Sequence, residues 1–158
     1  MVGFVQRVTL LCIGSLKTSW IAAGAQEYVR RLQPLLRLTM EELPASKKKD
    51  EAAQKQDESE RLLKALENRE GDIWVLDEAG KGMTSRAFSD QLQRLCDVGR
   101  PVTFVLGGAY GLTDAVRSRA GRVFAFSSMT FPHELCRVVF LEQLYRAAMI
   151  MRGSGYHH

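Results

Sequence analysis

The stretch PVTFVLGGAYGLTDAVRSRAGRVFAFSSMTFPHELCRVVFLEQLYRAAMIMRGSGYHH, residues 101–158, decides the fold. Within it, Val102 to Leu106 is a short apolar, β-branched run that stops at Gly107, Gly108 and Gly111. A buried strand of a parallel sheet has this composition, and glycines at its exit permit a turn that a ligand can approach closely. The segment therefore predicts strand, glycine turn and helix in that order. Val123 to Phe126 predicts a second short strand, Ser127 to Phe131 a polar exit loop, and Pro132 to Arg152 the longest helix of the chain. Pro132 suits a first helical turn, where its missing N–H is not needed, and Leu135, Val138, Leu141, Leu144, Tyr145 and Ala148 recur at helical spacing. Glu142 and Arg146 are placed to pair across one turn, and Gly153 follows Arg152 as a stop. The apolar face is wide enough to predict burial against more than its own sheet, a second subunit included.

Outward from this block the same alternation continues. Val8 to Ile13 predicts the first strand; it is too short and too soon broken by Gly14 and Lys17 for a secretory signal. Ser19 is the expected cap of a helix carrying Ile21, Tyr28, Val29 and Leu32, which Pro34 ends. Leu36 to Leu43 is the second strand, with Leu36, Leu38 and Met40 on one side. From Ser46 to Glu70 charge dominates, and Leu62, Leu63 and Leu66 form the inward stripe of an exposed helix. Lys47, Lys48 and Lys49 within it fit either a solvated loop or a contact to RNA phosphates. Asp72 to Asp77 is the third strand with a polar exit from Glu78 to Gly82, and Ser85 caps a helix to Asp97 that buries Phe88, Leu92 and Leu95.

Strands and helices alternating five times predict one α/β domain over residues 1–158, with a mostly parallel sheet of five to six strands covered by helices on both faces. In such sheets ligands bind beyond the carboxyl ends of the strands. Three exits there carry unusual loops, Asp77 to Gly82, Gly107 to Gly111 and Ser127 to Phe131, and their convergence would define one pocket. Tight turning alone accounts for one or two of the glycines. A phosphate-bearing nucleotide is disfavoured: there is no P-loop, GGAYG is not the dinucleotide fingerprint, and no Asp or Glu lies between Asp114 and Glu134. Glycine backbone with Leu76, Met129 and Phe131 suits an adenine and a short zwitterion instead. A net charge of +4 favours a polyanionic partner only weakly. Cys12, Cys96 and Cys136, odd in number and set among apolar neighbours, suit reduced thiols of a cytoplasmic protein better than disulfides or a metal site. No stretch is long enough to span a membrane as a helix.

The run LGGAYGL, the loop FSSMTFPHEL, the helix RVVFLEQLYRA and the terminal GYH resemble the bacterial ribosomal large-subunit RNA methyltransferases that modify N3 of a pseudouridine, members of the SPOUT class. The resemblance extends to the first strand, to LDEAGK at residues 76–81 and to the total length. It implies a C-terminal trefoil knot over residues 101–158, S-adenosyl-L-methionine as methyl donor, a homodimer, and 23S rRNA on the assembled ribosome as substrate. A catalytically silent ribosome-binding factor of the same fold is the alternative. Carried over by position, the donor would be held by Leu76, Gly108 and the loop Ser127, Ser128, Met129, Thr130, Phe131 and Pro132. Relatives of this type continue past the Tyr-His pair with a basic residue, where this chain ends in His157 and His158.

Methylation at N3 requires loss of the N3 proton, which calls for a base or a group that stabilises the anion. His133, beside the donor loop, is a candidate proton acceptor, or else a packing residue at a helix start. Arg137 is expected to orient the base or a phosphate, or else to pair with Glu134 at the surface. Tyr156 is expected to stack on a base or close the pocket.

Overall fold

A computed structural model describes residues 5–157; His158 lies outside the described residues. Strand β1 (Arg7–Ile13) leads to helix α1 (Ser19–Leu32), β2 (Arg37–Leu43), α2 (Glu51–Leu66), β3 (Asp72–Gly82), α3 (Ser85–Asp97), β4 (Val102–Leu106), α4 (Asp114–Arg119), β5 (Arg122–Ala125) and α5 (His133–Met151). The five strands form one sheet in the order β2-β1-β4-β3-β5, and every neighbouring pair is parallel.

The two faces follow from the period-two alternation of strand side chains. Leu10, Cys12, Trp74, Phe104, Leu106 and Phe124 point to the side covered by α1, α3 and α5. Leu11, Ile13, Ile73, Val75 and Val105 point to the side covered by α2 and α4. All five residues of β4 are buried, as a central parallel strand requires. On the first face Trp74, Phe88, Phe104, Phe124 and Phe140 pack mostly edge to face, with the Phe104 and Phe140 rings 4.7 Å apart. Burial pushes the Cys12 thiol up to about 11, so it stays protonated at neutral pH.

Helix α5 lies between α1 and α3, and polar contacts fix it to both. Ser89 Oγ donates to the Ala147 carbonyl at 3.0 Å, and Ser85 Oγ bonds Gln143 Oε1 at 2.6 Å. Its buried stripe is Phe140, Leu141, Leu144, Ala147 and Ala148 together with Arg137, while Leu135, Val138 and Tyr145 are only half-buried. Pro132 is the residue before the first turn rather than inside it.

Two expected caps sit one residue earlier than the sequence suggests. Thr84, not Ser85, precedes α3 and accepts from the Ala87 N–H at 3.1 Å. Thr18, not Ser19, precedes α1, and its hydroxyl turns to Glu134 at 3.2 Å. The Glu134 carboxylate also accepts the N–H groups of Lys17 at 2.6 Å and Thr18 at 3.1 Å, so it binds the start of α1 to the start of α5.

Strand β3 is longer than expected. Leu76 and Lys81 both stand opposite Phe124 on β5, so residues 77–80 loop out and the chain returns to pair again. Gly80 permits this return, because a Cβ there would collide with the Phe124 backbone.

The backbone bonds from Thr18 and Lys17 hold the Glu134 carboxyl below the usual glutamate range. Stability from such a group is present above the unfolded-state value and is lost as pH falls through the folded-state value. The wild-type chain is therefore expected to lose more stability than Glu134→Gln as pH falls through and below the ordinary glutamate range, read as urea midpoints. Equal losses would contradict the docking role.

Candidate active site

Beyond the carboxyl ends of β3, β4 and β5 lies a cavity of about 410 Å³, within the range of small-molecule sites. Three segments line it: Leu76 to Ala79, Leu106 to Leu112, and Ala125 to Phe131 without Ser128. The three exits thus converge. His133 and Cys136 close one side from the first turn of α5, and Lys55 reaches in from α2.

Each wall is held by its own short-range bonds. The Ala79 N–H donates to Asp77 Oδ1 at 2.8 Å, and the Met129 N–H to Ser127 Oγ at 3.0 Å, so both loops are turned by a side chain just upstream. Thr130 Oγ1 donates to Glu78 Oε2 at 2.7 Å and joins the β3 excursion to the β5 exit loop. The Gly111 N–H donates to the Gly108 carbonyl at 3.2 Å, and Gly111 has φ +80°, a region that favours glycine.

At Gly108 close packing, not backbone conformation, disfavours a side chain. A Cβ on it would run into Glu58 Oε2 and come within 3.3 Å of the Ile13 side chain. Its missing side chain would point toward α2, not into the cavity. Beside it, the Thr113 N–H donates to Ser59 Oγ at 3.1 Å, so Glu58 and Ser59 of α2 support the glycine turn from behind.

The lining is mixed, apolar side chains and glycine backbone alongside the acids Asp77 and Glu78 and the basic groups Lys55, Arg117 and His133. Arg117 is fully engaged, donating to Asp77 at 3.0 Å, to Asp114 at 2.6 Å and to the Leu112 carbonyl at 2.9 Å. These contacts raise its pKa, Asp114 most of all. With Arg117 occupied and Lys55 the one other lysine or arginine among the lining residues, the cavity does not offer the cation cluster that a phosphate chain needs. Burial raises the Cys136 thiol, which therefore stays protonated at neutral pH. Among the described residues no group of three or more His, Cys, Asp or Glu could hold a metal ion, and no helix is long and apolar enough to cross a membrane.

The residues expected from sequence divide clearly. Leu76, Gly108, Ser127, Met129, Thr130, Phe131 and His133 line the cavity. Ser128 and Pro132 lie in the same loop but are exposed and not part of the lining. Arg137 is away from it: its side chain is 3% exposed, bonded to Glu42 at 2.5 Å and to the carbonyls of Ile13 at 3.2 Å and Gly14 at 2.9 Å. It is not the partner of Glu134, which is taken by the start of α1. Tyr156 is also outside the cavity, packed edge-on against Tyr145 at 4.9 Å under the Arg146 guanidinium. Asp77, Glu78 and Tyr110 fall within the exit loops expected to converge, whereas Arg117 and Lys55 were not expected here. The only sequence cue to Arg117 was its three-residue spacing from Asp114.

A parallel α/β sheet with a small-molecule cavity at its carboxyl edge, built from a glycine turn and the loop before the last helix, is the ligand-binding arrangement of open α/β folds. The family model described as "Predicted SPOUT methyltransferase" matches residues 6–157, and the chain belongs to that family. It is 40% identical to the ribosomal RNA large subunit methyltransferase H of Streptococcus mutans, over 96% of this chain and 99% of that protein. With the protein of the same name from Nitratidesulfovibrio vulgaris it shares 45%, over 98% and 100%. A solved structure of a probable methyltransferase from Bordetella pertussis superposes with a TM-score of 0.60 at 17% identity, over 90% of this chain and 95% of that one, which is a likeness of fold.

Removing the Arg137 side chain would leave two inward-facing carbonyls without their donor, at about 1–3 kcal/mol for each buried unsatisfied group. Arg137→Ala is expected to lower unfolding stability by roughly 2 kcal/mol or more in urea titrations. A variant of unchanged stability would contradict the assignment of Arg137 to the framework.

Proposed function

We propose that the chain is an S-adenosyl-L-methionine-dependent methyltransferase of large-subunit ribosomal RNA, acting as a homodimer on N3 of a pseudouridine in 23S rRNA on the assembled ribosome. The observation that carries this reading is the convergence of the glycine turn at Gly108 with the loop Ser127 to Phe131 around one cavity. The methyltransferase H relatives, matched over nearly their full length, supply the substrate class. The knot implied for residues 101–158 belongs to the same reading.

The cavity fits the donor by its chemistry. Leu76, Leu106, Ala125 and Phe126 offer apolar contact for an adenine, and the glycine turn brings backbone groups to its edge. Asp77 is paired with Arg117, which leaves the Glu78 carboxylate to favour a sulfonium or an ammonium over a phosphate chain. Ser128 and Pro132 belong to the same loop and stand outside the lining. When bound, the donor supplies an activated methyl group, so this chain's residues have to bind, orient and exclude water. His133, exposed at the cavity mouth on the first turn of α5, is placed to take the N3 proton. Arg137 acts through the framework, by fixing α5 to the β1 exit, and Tyr156 has no part in the cavity of its own chain.

A second subunit accounts for the apolar groups left uncovered. Met129 is 73% exposed beside the cavity, and Leu135, Val138 and Val139 on α5 are only half-buried.

Tritiated methyl transfer from S-adenosyl-L-methionine to ribosomes, compared with protein-free rRNA, tests the assignment. Ribosomes lacking the modification are expected to incorporate about one methyl per particle, with His133→Ala reducing the rate by about 10²-fold or more. No incorporation into either substrate would overturn the reading.

A further inference from the structure

The lysines of the β2–α2 connection belong to the same edge of the sheet as the cavity. Residues 44–50 leave the carboxyl end of β2, and β1 alone separates β2 from β4, whose exit is the glycine turn. At a strand spacing of about 4.8 Å, the two exits are roughly 10 Å apart.

The backbone of this connection is fixed. The Arg61 guanidinium donates to the carbonyls of Pro44 at 2.5 Å and Ala45 at 3.2 Å. The Lys48 N–H donates to Ser46 Oγ at 3.2 Å, and Asp50 ends the loop as the cap of α2, accepting from Ala53 at 2.9 Å. Glu58, 5% exposed, completes the bracing. One of its oxygens accepts the Ser46 N–H at 3.0 Å, while the other abuts Gly108 and has no hydrogen-bond partner among the described residues. A single buried carboxylate therefore holds the lysine loop and the glycine turn in fixed relation.

The side chains on this braced loop are treated differently from other cations. Every ion pair among the described residues uses arginine, and none uses lysine. Lys47, Lys48 and Lys49 are all exposed, and Asp50, the nearest acid in sequence, is engaged as the cap of α2. Three ammonium groups on an ordered backbone can meet an anionic chain without the cost of ordering a mobile loop. Lys55, on the cavity wall, continues the line toward the site.

We propose that Lys47, Lys48 and Lys49 contact the backbone phosphates of the RNA strand whose target base enters the cavity, at a distance set by Glu58. This rests on the RNA-methyltransferase reading and adds to it a phosphate-contact surface on the β2 side of the site. Because lysines grip phosphate without reading base identity, the contact gives affinity and register, not sequence preference.

The test is equilibrium binding of the full chain to ribosomes and to a protein-free 23S rRNA transcript over a range of KCl. For Lys47→Ala/Lys48→Ala/Lys49→Ala the slope of log K against log salt should be shallower by about 2–3 than for wild type on both probes. The unfolding midpoint and the affinity for S-adenosyl-L-methionine should stay unchanged, and replacement of all three by arginine should restore the slope. A slope unaltered by the alanine variant overturns the proposal. So does a change seen with ribosomes but not with the transcript, which would assign the contact to a ribosomal protein. Methyl transfer by wild type is measured in parallel: its absence would count against the enzymatic reading, whereas an unaltered slope alongside normal transfer would count against this surface alone.

Discussion

The site depends on one close approach, that of the Gly108 backbone to the carboxylate of Glu58. A Cβ at position 108, in the turn after β4, would run into that carboxylate's Oε2 and come within 3.3 Å of the Ile13 side chain, so a larger residue there requires the buried Glu58 side chain to shift. The turn in turn places the edge of the cavity. On one side of it stand Leu76 to Ala79 of the β3 excursion, on the other the loop that leads from β5 into α5. Parallel topology makes this arrangement possible: all five strands end at the same edge, so every exit loop has access to one location.

The remaining walls are kept in place by groups that do no chemistry themselves. Glu134 anchors the first turn of α5 to the start of α1, and Arg137 anchors the next turn to the carbonyls at the end of β1. Both act at the segment that also presents His133, so the position of that imidazole is set by contacts made one residue and one turn further along the helix. Thr130 and Glu78 join two of the lining loops directly. Flexible loops are thereby given a defined shape by a few polar contacts, while the aromatic cluster beneath keeps the sheet rigid.

Much of this was legible in the chain. The abrupt change from Val102–Leu106 to glycine marks a buried strand and its exit, and the periodicities around it separate strands from helices cleanly. Leu76, the glycine turn and most of Ser127 to Phe131 are named by those same local patterns. What stayed hidden depends on contacts between residues far apart in sequence. Arg137 lies one turn from Glu134 and reads as its surface partner, yet the two face different neighbours, more than a hundred residues upstream. Tyr156 reads as a mobile tail or a lid, and its ring instead packs on Tyr145. The return of β3 after residues 77–80 is invisible because alternation is lost at Glu78 and only pairing with β5 restores the strand. The caps moved by one residue because Thr and Ser stand side by side at both sites, and either hydroxyl satisfies the local rule.

A cavity lined by glycine backbone, with its arginine already occupied, is expected to take a phosphate-free adenosyl compound in preference to a dinucleotide. Calorimetric titration of the purified chain with S-adenosyl-L-methionine, with NAD as the comparison ligand, tests that most directly. Saturable heat with one donor molecule per chain, and none with NAD, is the predicted result. Absence of donor binding, or saturable binding of the dinucleotide, would contradict the account.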